Sequence, residues 1–337
     1  MSQVGGNRKS RLLALIPALL VILGSGMVAL ALNAPIQPSG LPYERTFAAA
    51  SKDAATDLTI ADTAVTNALQ RGEWRVAGMR EPVATALIAT SKDGRPVALD
   101  WRNNVTEPVF SADLTLSEVD KVMAAIKQHV PTEAVVLSWW DLSRKIRVLA
   151  GREAPLDDPL ARGLIVPTSW AEAADRVLAS EKAFWGAGIA SSEADNFTRF
   201  IEALLDDEET GTAALAALAP GKDIYVAVHL SDAWKVASSR PEQLAIGYRD
   251  FPTSGQSHGV VKTTREWIKS EKIKGGYAVE PIGHAVRLHY LNDKDSSDLL
   301  IAKLLPFSTS NPMRLKGLQL VYQHRGYWIY KLNRNAS

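Results

Sequence analysis

Hydrophobic residues are most densely grouped near the start of the chain. Residues 12–32 form a run of 21 residues without a charge, and about 20 apolar residues are enough to cross the core of a bilayer as a helix. Three basic residues lie within 1–11, and the positive-inside rule places such residues in the cytoplasm. The pattern predicts a cytoplasmic segment over 1–11, a single transmembrane anchor over 12–32 and a body across the membrane.

A cleaved signal peptide is the alternative to a retained anchor. Ala29-Leu30-Ala31 has the small-x-small pattern of a cleavage site. The apolar run, however, is longer than the core of roughly 7–15 residues that signal peptides have. Its length therefore favours the anchor.

Beyond the anchor, segments with the apolar spacing of helices alternate with segments that have the pattern of strands. Three prolines within 34–43 cannot continue a helix and predict a spacer over 33–45, followed by one α/β domain over 46–337. Helical apolar spacing predicts helices over 47–70, 116–130, 142–150, 170–185, 193–205 and 260–273. Strand patterns cover 74–79, 84–90, 97–101, 134–138, 223–230 and 277–291, with hairpins around Asp93-Gly94 and over 318–332. The order predicts a mixed β-sheet with flanking helices.

One segment, residues 134–158, joins a strand, an aromatic corner, a helix and an acidic loop; we name it the WWD segment. Its strand ends at Trp139 and Trp140, Asp141 follows at once, and Gly151 stops the helix. Asp141 either caps this helix or forms a recognition corner with the two indoles. The indoles either fill the core or line a pocket, and on a strand they point to opposite faces.

Charge and cysteine content limit what the body can be. Beyond residue 32 there are 35 basic and 37 acidic residues, so nucleic acid is not a predicted partner. The chain has no cysteine, which excludes disulfides, thiolate metal sites and covalent c-type haem. No cofactor is therefore predicted. The lack of disulfides also favours a bacterial periplasm over a eukaryotic secretory route.

No catalytic group stands out in the sequence. The six histidines lack the His-x-His and His-Glu-x-x-His spacings of metal sites, so no metal ligand is predicted. The loop 254–259 lacks the spacing of a nucleophile elbow, and Gly275-Gly276 lacks the pattern of a phosphate loop. The sequence assigns no catalytic residue, and an enzyme of unrecognised type is left as a third hypothesis.

The WWD segment resembles part of the soluble domain of the oligosaccharyltransferase catalytic subunit. In that family, WWD binds the hydroxyl residue of the acceptor sequon. The resemblance implies a peptide- or glycan-binding site, with the candidate residues Trp139, Trp140, Asp141, Arg152, Asp157 and Asp158. Leu142-Ser143 stand where that family has Tyr-Gly, and one predicted span replaces a many-helix membrane domain. Transfer activity is therefore not implied.

The whole arrangement resembles a second family. The single anchor, the cysteine-free body, the WWD segment and the closing sequence YWIY at 327–330 are similar to the HaoB family of hydroxylamine oxidation proteins. This resemblance implies a non-catalytic accessory protein of nitrification-type nitrogen metabolism, held at the bacterial inner membrane with its body in the periplasm. The implied partner is the periplasmic multihaem hydroxylamine dehydrogenase. A peptide- or glycan-binding module that uses the WWD corner is the alternative.

Overall fold

The computed structural model describes residues 40–59, 69–157, 164–186, 191–252, 257–282 and 285–333. The predicted anchor and the predicted site residue Asp158 lie outside these ranges. Within them, no helix is both long enough and apolar enough to cross a bilayer. The compact unit that starts at Pro42 contains three sheets among its described residues, with helices packed against them.

An antiparallel sheet lies near the start of this unit. Its strands are β1 (Glu44–Ala49), β2 (Gln70–Arg75), β3 (Ala84–Thr90), β4 (Pro96–Ala98) and β5 (Arg102–Asn103). They follow the order β1-β2-β3-β4, and β5 also pairs with β3. The predicted hairpin around Asp93-Gly94 is confirmed, because Thr90 pairs with Pro96. Gly94 has a φ of +83°, which glycine adopts without steric cost.

The helix predicted over 47–70 is wrong at its start, where the chain forms β1. This strand pairs along its whole length with β2. Phe47 stacks on Phe184 with ring centroids 4.9 Å apart, and Arg45 donates to the buried carboxylate of Glu181 at 2.7 Å. Strand pairing and packing therefore outweigh the helix propensity of the alanine-rich run.

The other described strands form two further sheets. They are β6 (Val135–Ser138), β7 (Ile224–His229), β8 (Ile246–Pro252), β9 (Tyr277–Ile282), β10 (Ala285–Leu291), β11 (Leu318–His324) and β12 (Tyr327–Leu332). The central sheet has the order β11-β12-β7-β6, in which only β6 and β7 are parallel. The second sheet is antiparallel, with the order β8-β10-β9. These sheets confirm the strands predicted at 134–138, 223–230 and 277–291, the terminal hairpin and the mixed α/β class.

Helices connect and cover the sheets. They are α1 (Leu116–His129), α2 (Trp140–Lys145), α3 (Ala174–Phe184), α4 (Ser191–Leu205), α5 (Glu208–Ala216), α6 (Leu230–Ser239), α7 (Ser257–Ser270) and α8 (Leu300–Leu304). Helices α1, α3, α4 and α7 match predicted ones, whereas α5, α6 and α8 were not predicted. Helix α2 continues as a π-helical turn, Ile146–Ala150, which ends at Gly151 with a φ of +61°.

The two parallel strands position the candidate site. Strand β6 passes through Trp139 directly into α2, and β7 passes directly into α6. Because the carboxyl ends of parallel strands meet at one edge of a sheet, residues 139–145 and 229–235 come together there. Ligands of open α/β sheets commonly bind at this kind of edge.

Candidate functional site

Both tryptophans of the WWD segment lie in the core. Trp139 is 0% exposed and Trp140 is 5% exposed. The ring of Trp139 meets Phe197 edge to face at 5.1 Å, whereas that of Trp140 packs against Trp185 at 5.6 Å. The strand ends at Ser138, so neither tryptophan lies within it as the sequence predicted. The two indoles contact different neighbours, and each one fills a different part of the core.

Asp141 pairs with a lysine from the neighbouring helix. Helix α2 starts at Trp140, so the N-cap position falls on Trp139. The interpretation of Asp141 as the cap is therefore wrong. Both of its carboxylate oxygens accept a hydrogen bond from Lys235 Nζ at 3.1 Å, and Lys145 Nζ lies 3.8 Å from Asp141 Oδ2.

Asp232 completes a buried group of two acids and two lysines. We name Asp141, Lys145, Asp232 and Lys235 the charge network. Lys235 Nζ donates to Asp232 Oδ1 at 3.0 Å. The side chain of Asp141 is 13% exposed, and those of the other three are at most 4% exposed. Positive and negative charges balance within the network, which is the condition under which a protein interior tolerates them.

Burial and ion pairing shift the pKa values of Asp141 and Lys235 in opposite directions. Burial alone would raise the pKa of Asp141, but the nearby ammonium groups of Lys235 and Lys145 hold that pKa below its usual range. Burial would lower the pKa of Lys235, yet the carboxylates of Asp141 and Asp232 raise it. Asp141 and Lys235 therefore form a charged pair. Burial raises the pKa of Asp232 and lowers the pKa of Lys145.

His229 links the network to the start of α6. Its backbone N–H donates to Asp232 Oδ2 at 2.9 Å, and its Nδ1 accepts from the backbone N–H of Ser231 at 3.1 Å. In the neutral ring the proton is therefore on Nε2. Burial lowers the pKa of His229 to about 4. Gly326 lies against the ring, where a Cβ would clash with Nε2.

A cleft of about 540 Å³ opens beside this edge of the central sheet. It is bounded by the start of α6, by the second sheet and by the loop after β5. The side chains in its lining that carry charge or titrate are Arg102, Asp113, His229, Tyr248, Asp250, Glu280, Arg287 and His289. The sequence did not predict this cleft, because its lining comes from distant parts of the chain and follows no short motif.

A fixed chain of hydrogen bonds crosses the cleft. Trp234 Nε1 lies 2.9 Å from His289 Nδ1, and His289 Nε2 lies 2.9 Å from Glu280 Oε2. An indole N–H only donates, so His289 Nδ1 accepts and its Nε2–H donates to Glu280. Both ring nitrogens are thus occupied, and His289 orients Glu280. Among the described residues, no group of three His, Asp or Glu side chains is arranged to hold a metal ion.

The remaining predicted site residues lie apart from Asp141. Arg152 donates to the carbonyl oxygens of Lys127 and Val130, each at 2.7 Å, near the end of α1. The buried Asp157 accepts from Arg95 and Arg147. Arg152 and Asp157 line a separate cavity. The structure therefore divides the predicted site between two places.

Comparisons with known proteins match both resemblances found in the sequence. The profile of the family described as HaoA-associated protein HaoB matches residues 9–332. No curated protein matches the sequence. Among solved structures, the chain is similar to the C-terminal globular domain of an oligosaccharyltransferase from Archaeoglobus fulgidus. That match has 13% identity and a TM-score of 0.33, and it covers 66% of this chain and 100% of that domain.

The chain is also similar to the C-terminal domain of PglB from C. jejuni. This match has 15% identity and a TM-score of 0.34, and it covers 63% of this chain and 98% of that domain. The family profile spans almost all of the sequence, including the described β-sheets. The chain therefore belongs to the HaoB family, whose description as HaoA-associated links it to hydroxylamine oxidation.

Proposed function

We propose that this chain is a non-catalytic accessory protein that acts with HaoA, the periplasmic multihaem hydroxylamine dehydrogenase. Residues 12–32 hold it at the outer face of the bacterial inner membrane. Family membership over residues 9–332 carries the proposal, because the matched region includes both the predicted anchor and the described body. The chain has no cysteine to attach c-type haem. Electron transfer is therefore assigned to the partner.

The WWD corner, Trp139 to Asp141, supports a structural role within this proposal. Asp141 is engaged by Lys235, and the cavity beside Trp140 and Asp141 measures about 20 Å³. A space of that size holds about one water molecule, whereas a catalytic carboxylate must reach its substrate. We therefore propose that the WWD corner stabilises the body of the protein, and that the partner binds at the outer surface of this body.

A peptide- or glycan-binding module is the alternative, and its binding residues stay a prediction. A ligand hydroxyl would have to share Asp141 with Lys235. Asp141→Ala distinguishes the two roles when binding of an Asn-x-Thr peptide and the free energy of unfolding are both measured. Lost peptide binding at unchanged stability supports the module. A large loss of stability, with no peptide binding by the unmodified chain, supports the structural role.

Deletion of the gene in its native bacterium tests the proposed partnership. We expect lower hydroxylamine-oxidising activity, or less haem-loaded HaoA, in the deletion strain, with recovery when the full chain is supplied. A second strain supplies the body behind a cleaved signal peptide in place of 12–32, and its level of recovery tests the need for the anchor. Unchanged activity, HaoA amount and haem content in the deletion strain would contradict the proposal.

A further inference from the structure

The second half of the WWD segment lines a cavity of about 520 Å³. The turn between β3 and β4 forms one wall, and the π-helical turn with the loop that follows it forms another. Lys127 from the last turn of α1 completes the lining. This volume lies within the range of about 300–1,000 Å³ that is typical of small-molecule pockets.

The charge of the lining distinguishes this cavity, which we name the basic pocket. It has two acidic side chains, Asp93 and Asp157, and six basic ones, Lys92, Arg95, Lys127, Arg144, Arg147 and Arg152. Its formal net charge is therefore +4, against +1 for the whole chain. The cleft beside His229 has two basic and three acidic side chains, and a groove beside α5 has three of each. Positive charge is concentrated in the basic pocket alone among these three cavities.

Asp157 positions two of the arginines. Its Oδ2 accepts from Arg95 Nη2 at 2.7 Å and also from Arg147 Nη1. The backbone oxygen of Asp157 accepts from Arg144 Nε at 2.7 Å. The buried carboxylate therefore holds the guanidinium groups of Arg95 and Arg147 side by side. Asp93 Oδ2 also accepts from Arg95 Nε at 2.8 Å and from Arg95 Nη2. This leaves Nη1 of Arg95 and the guanidinium group of Arg147 to meet the oxygens of a carboxylate or phosphate group.

Arg95 gives the pocket a buried donor without an acceptor. Arg95 Nη1 is buried and has no hydrogen-bond partner among the described residues. Buried donors without partners are rare and costly, because they have lost their hydration without a replacement. An oxygen atom of a bound anion would supply the missing acceptor.

The backbone around the pocket is also unusual. The π-helical turn at Ile146–Ala150 ends at Gly151 in the left-handed conformation, and π-helical turns occur frequently at functional sites. Arg152 then reaches back to the carbonyl oxygens of Lys127 and Val130. This contact fixes the end of α1, and with it the position of Lys127, at the edge of the pocket.

We propose that the basic pocket binds a compact oxyanion, either a phosphate or a carboxylate group. The net charge attracts the anion, Arg147 beside Asp157 orients it, and Arg95 Nη1 gains its acceptor. Two sources share this chemistry, namely a free anion in the periplasm and the phosphate of an anionic lipid. The pocket is separate from the WWD corner, and its occupancy does not depend on the proposed partnership with HaoA.

Calorimetric titration of the full chain in neutral detergent with inorganic phosphate tests the site. We expect saturable binding at constant ionic strength, weakened about tenfold in Lys92→Gln/Lys127→Gln because two cations of the lining are removed. The control Lys121→Gln/Lys269→Gln removes two exposed lysines outside the pocket and should leave the dissociation constant within about twofold. Arg95→Lys keeps the charge but removes Nη1, and it should also weaken binding.

The lipid source is tested by the same titration in nanodiscs of phosphatidylcholine, with and without phosphatidylglycerol. Equal affinity for phosphate in both discs supports a free anion, whereas weaker apparent affinity in the phosphatidylglycerol discs supports a lipid headgroup that competes for the pocket. Absence of saturable phosphate binding in detergent and in both discs would overturn the proposal. Equal weakening by the pocket and control double variants would also overturn it.

Discussion

The two halves of the WWD segment use charged residues in opposite ways. In the first half, Asp141 is almost fully enclosed, and its charge is balanced by Lys235 and Lys145. In the second half, Asp157 is also buried, but the cavity that it helps to line has a formal net charge of +4. Balanced charges in the interior stabilise one arrangement of the chain. The excess positive charge at the open cavity is available to bind an anionic ligand.

Lys235→Ala is expected to have the largest effect on the free energy of unfolding, because it removes a cation from the charge network. The variant leaves Asp141 and Asp232 buried without their shared cation, and breaking a buried pair in this way costs about 3–5 kcal/mol. Urea unfolding followed by circular dichroism measures the loss. Lys262→Ala, which changes a lysine that is 79% exposed, is the control and should have little effect. Equal losses in the two variants would mean that the network is not structural.

The pH dependence of stability tests the burial of His229. Its pKa is about 4 in the folded protein and about 6.5 in the unfolded chain, so the unfolded state binds more protons between these values. The free energy of unfolding should therefore fall by up to about 3 kcal/mol as the pH decreases from 6.5 to 4. His229→Gln removes this contribution and should flatten the slope in that interval. An unchanged slope would contradict the assignment, and His129→Gln serves as the exposed control.

Trp234→Phe tests the hydrogen-bond chain in the cleft, with a moderate expected effect. It leaves His289 Nδ1 without its donor, which should cost about 1–2 kcal/mol of stability. Nitrogen chemical shifts of the imidazole should show the Nε2–H form in the unmodified protein and a mixture of forms in the variant. Trp267→Phe is a matched control, because Trp267 Nε1 has no hydrogen-bond partner among the described residues. A single ring form in both variants would refute the role of Trp234.

The smallest effect on stability is expected at the basic pocket. Lys92 and Lys127 are exposed, so Lys92→Gln/Lys127→Gln should change the free energy of unfolding by less than about 0.5 kcal/mol. The same urea unfolding experiment measures it. A loss as large as that of Lys235→Ala would remove the distinction between the two halves, because the pocket would then also be part of the structural core.

Local periodicity predicted much of the fold but not the partners of its charges. The strand, aromatic corner and helix of the WWD segment are determined by neighbouring residues, so the sequence predicts them. Lys235, which decides the role of Asp141, lies 94 residues away in the sequence and comes from a helix that was not predicted. The burial of Asp141 depends on the pairing of β6 with β7, which no local pattern reveals.

The predicted site residues are close together in the sequence, but the structure places them in two separate sites. Residues from Trp139 to Asp157 look like one motif, but Asp141 pairs with Lys235 whereas Asp157 pairs with Arg95 and Arg147. Arg152 and Asp157 therefore belong to the basic pocket, whose other cations come from α1, from α2 with its π-helical turn, and from the β3–β4 turn. Likewise, Trp234, Glu280 and His289 meet only because α6 packs against the second sheet.

Sedimentation velocity of the detergent-solubilised full chain mixed with purified HaoA tests whether these two proteins associate. The boundary is followed both at the haem absorbance of HaoA and at a fluorescent label on this chain, which has no haem attachment cysteine. We expect one faster boundary that contains both signals at a constant ratio across dilutions. Two independent boundaries, each moving as in the separate samples, would contradict it.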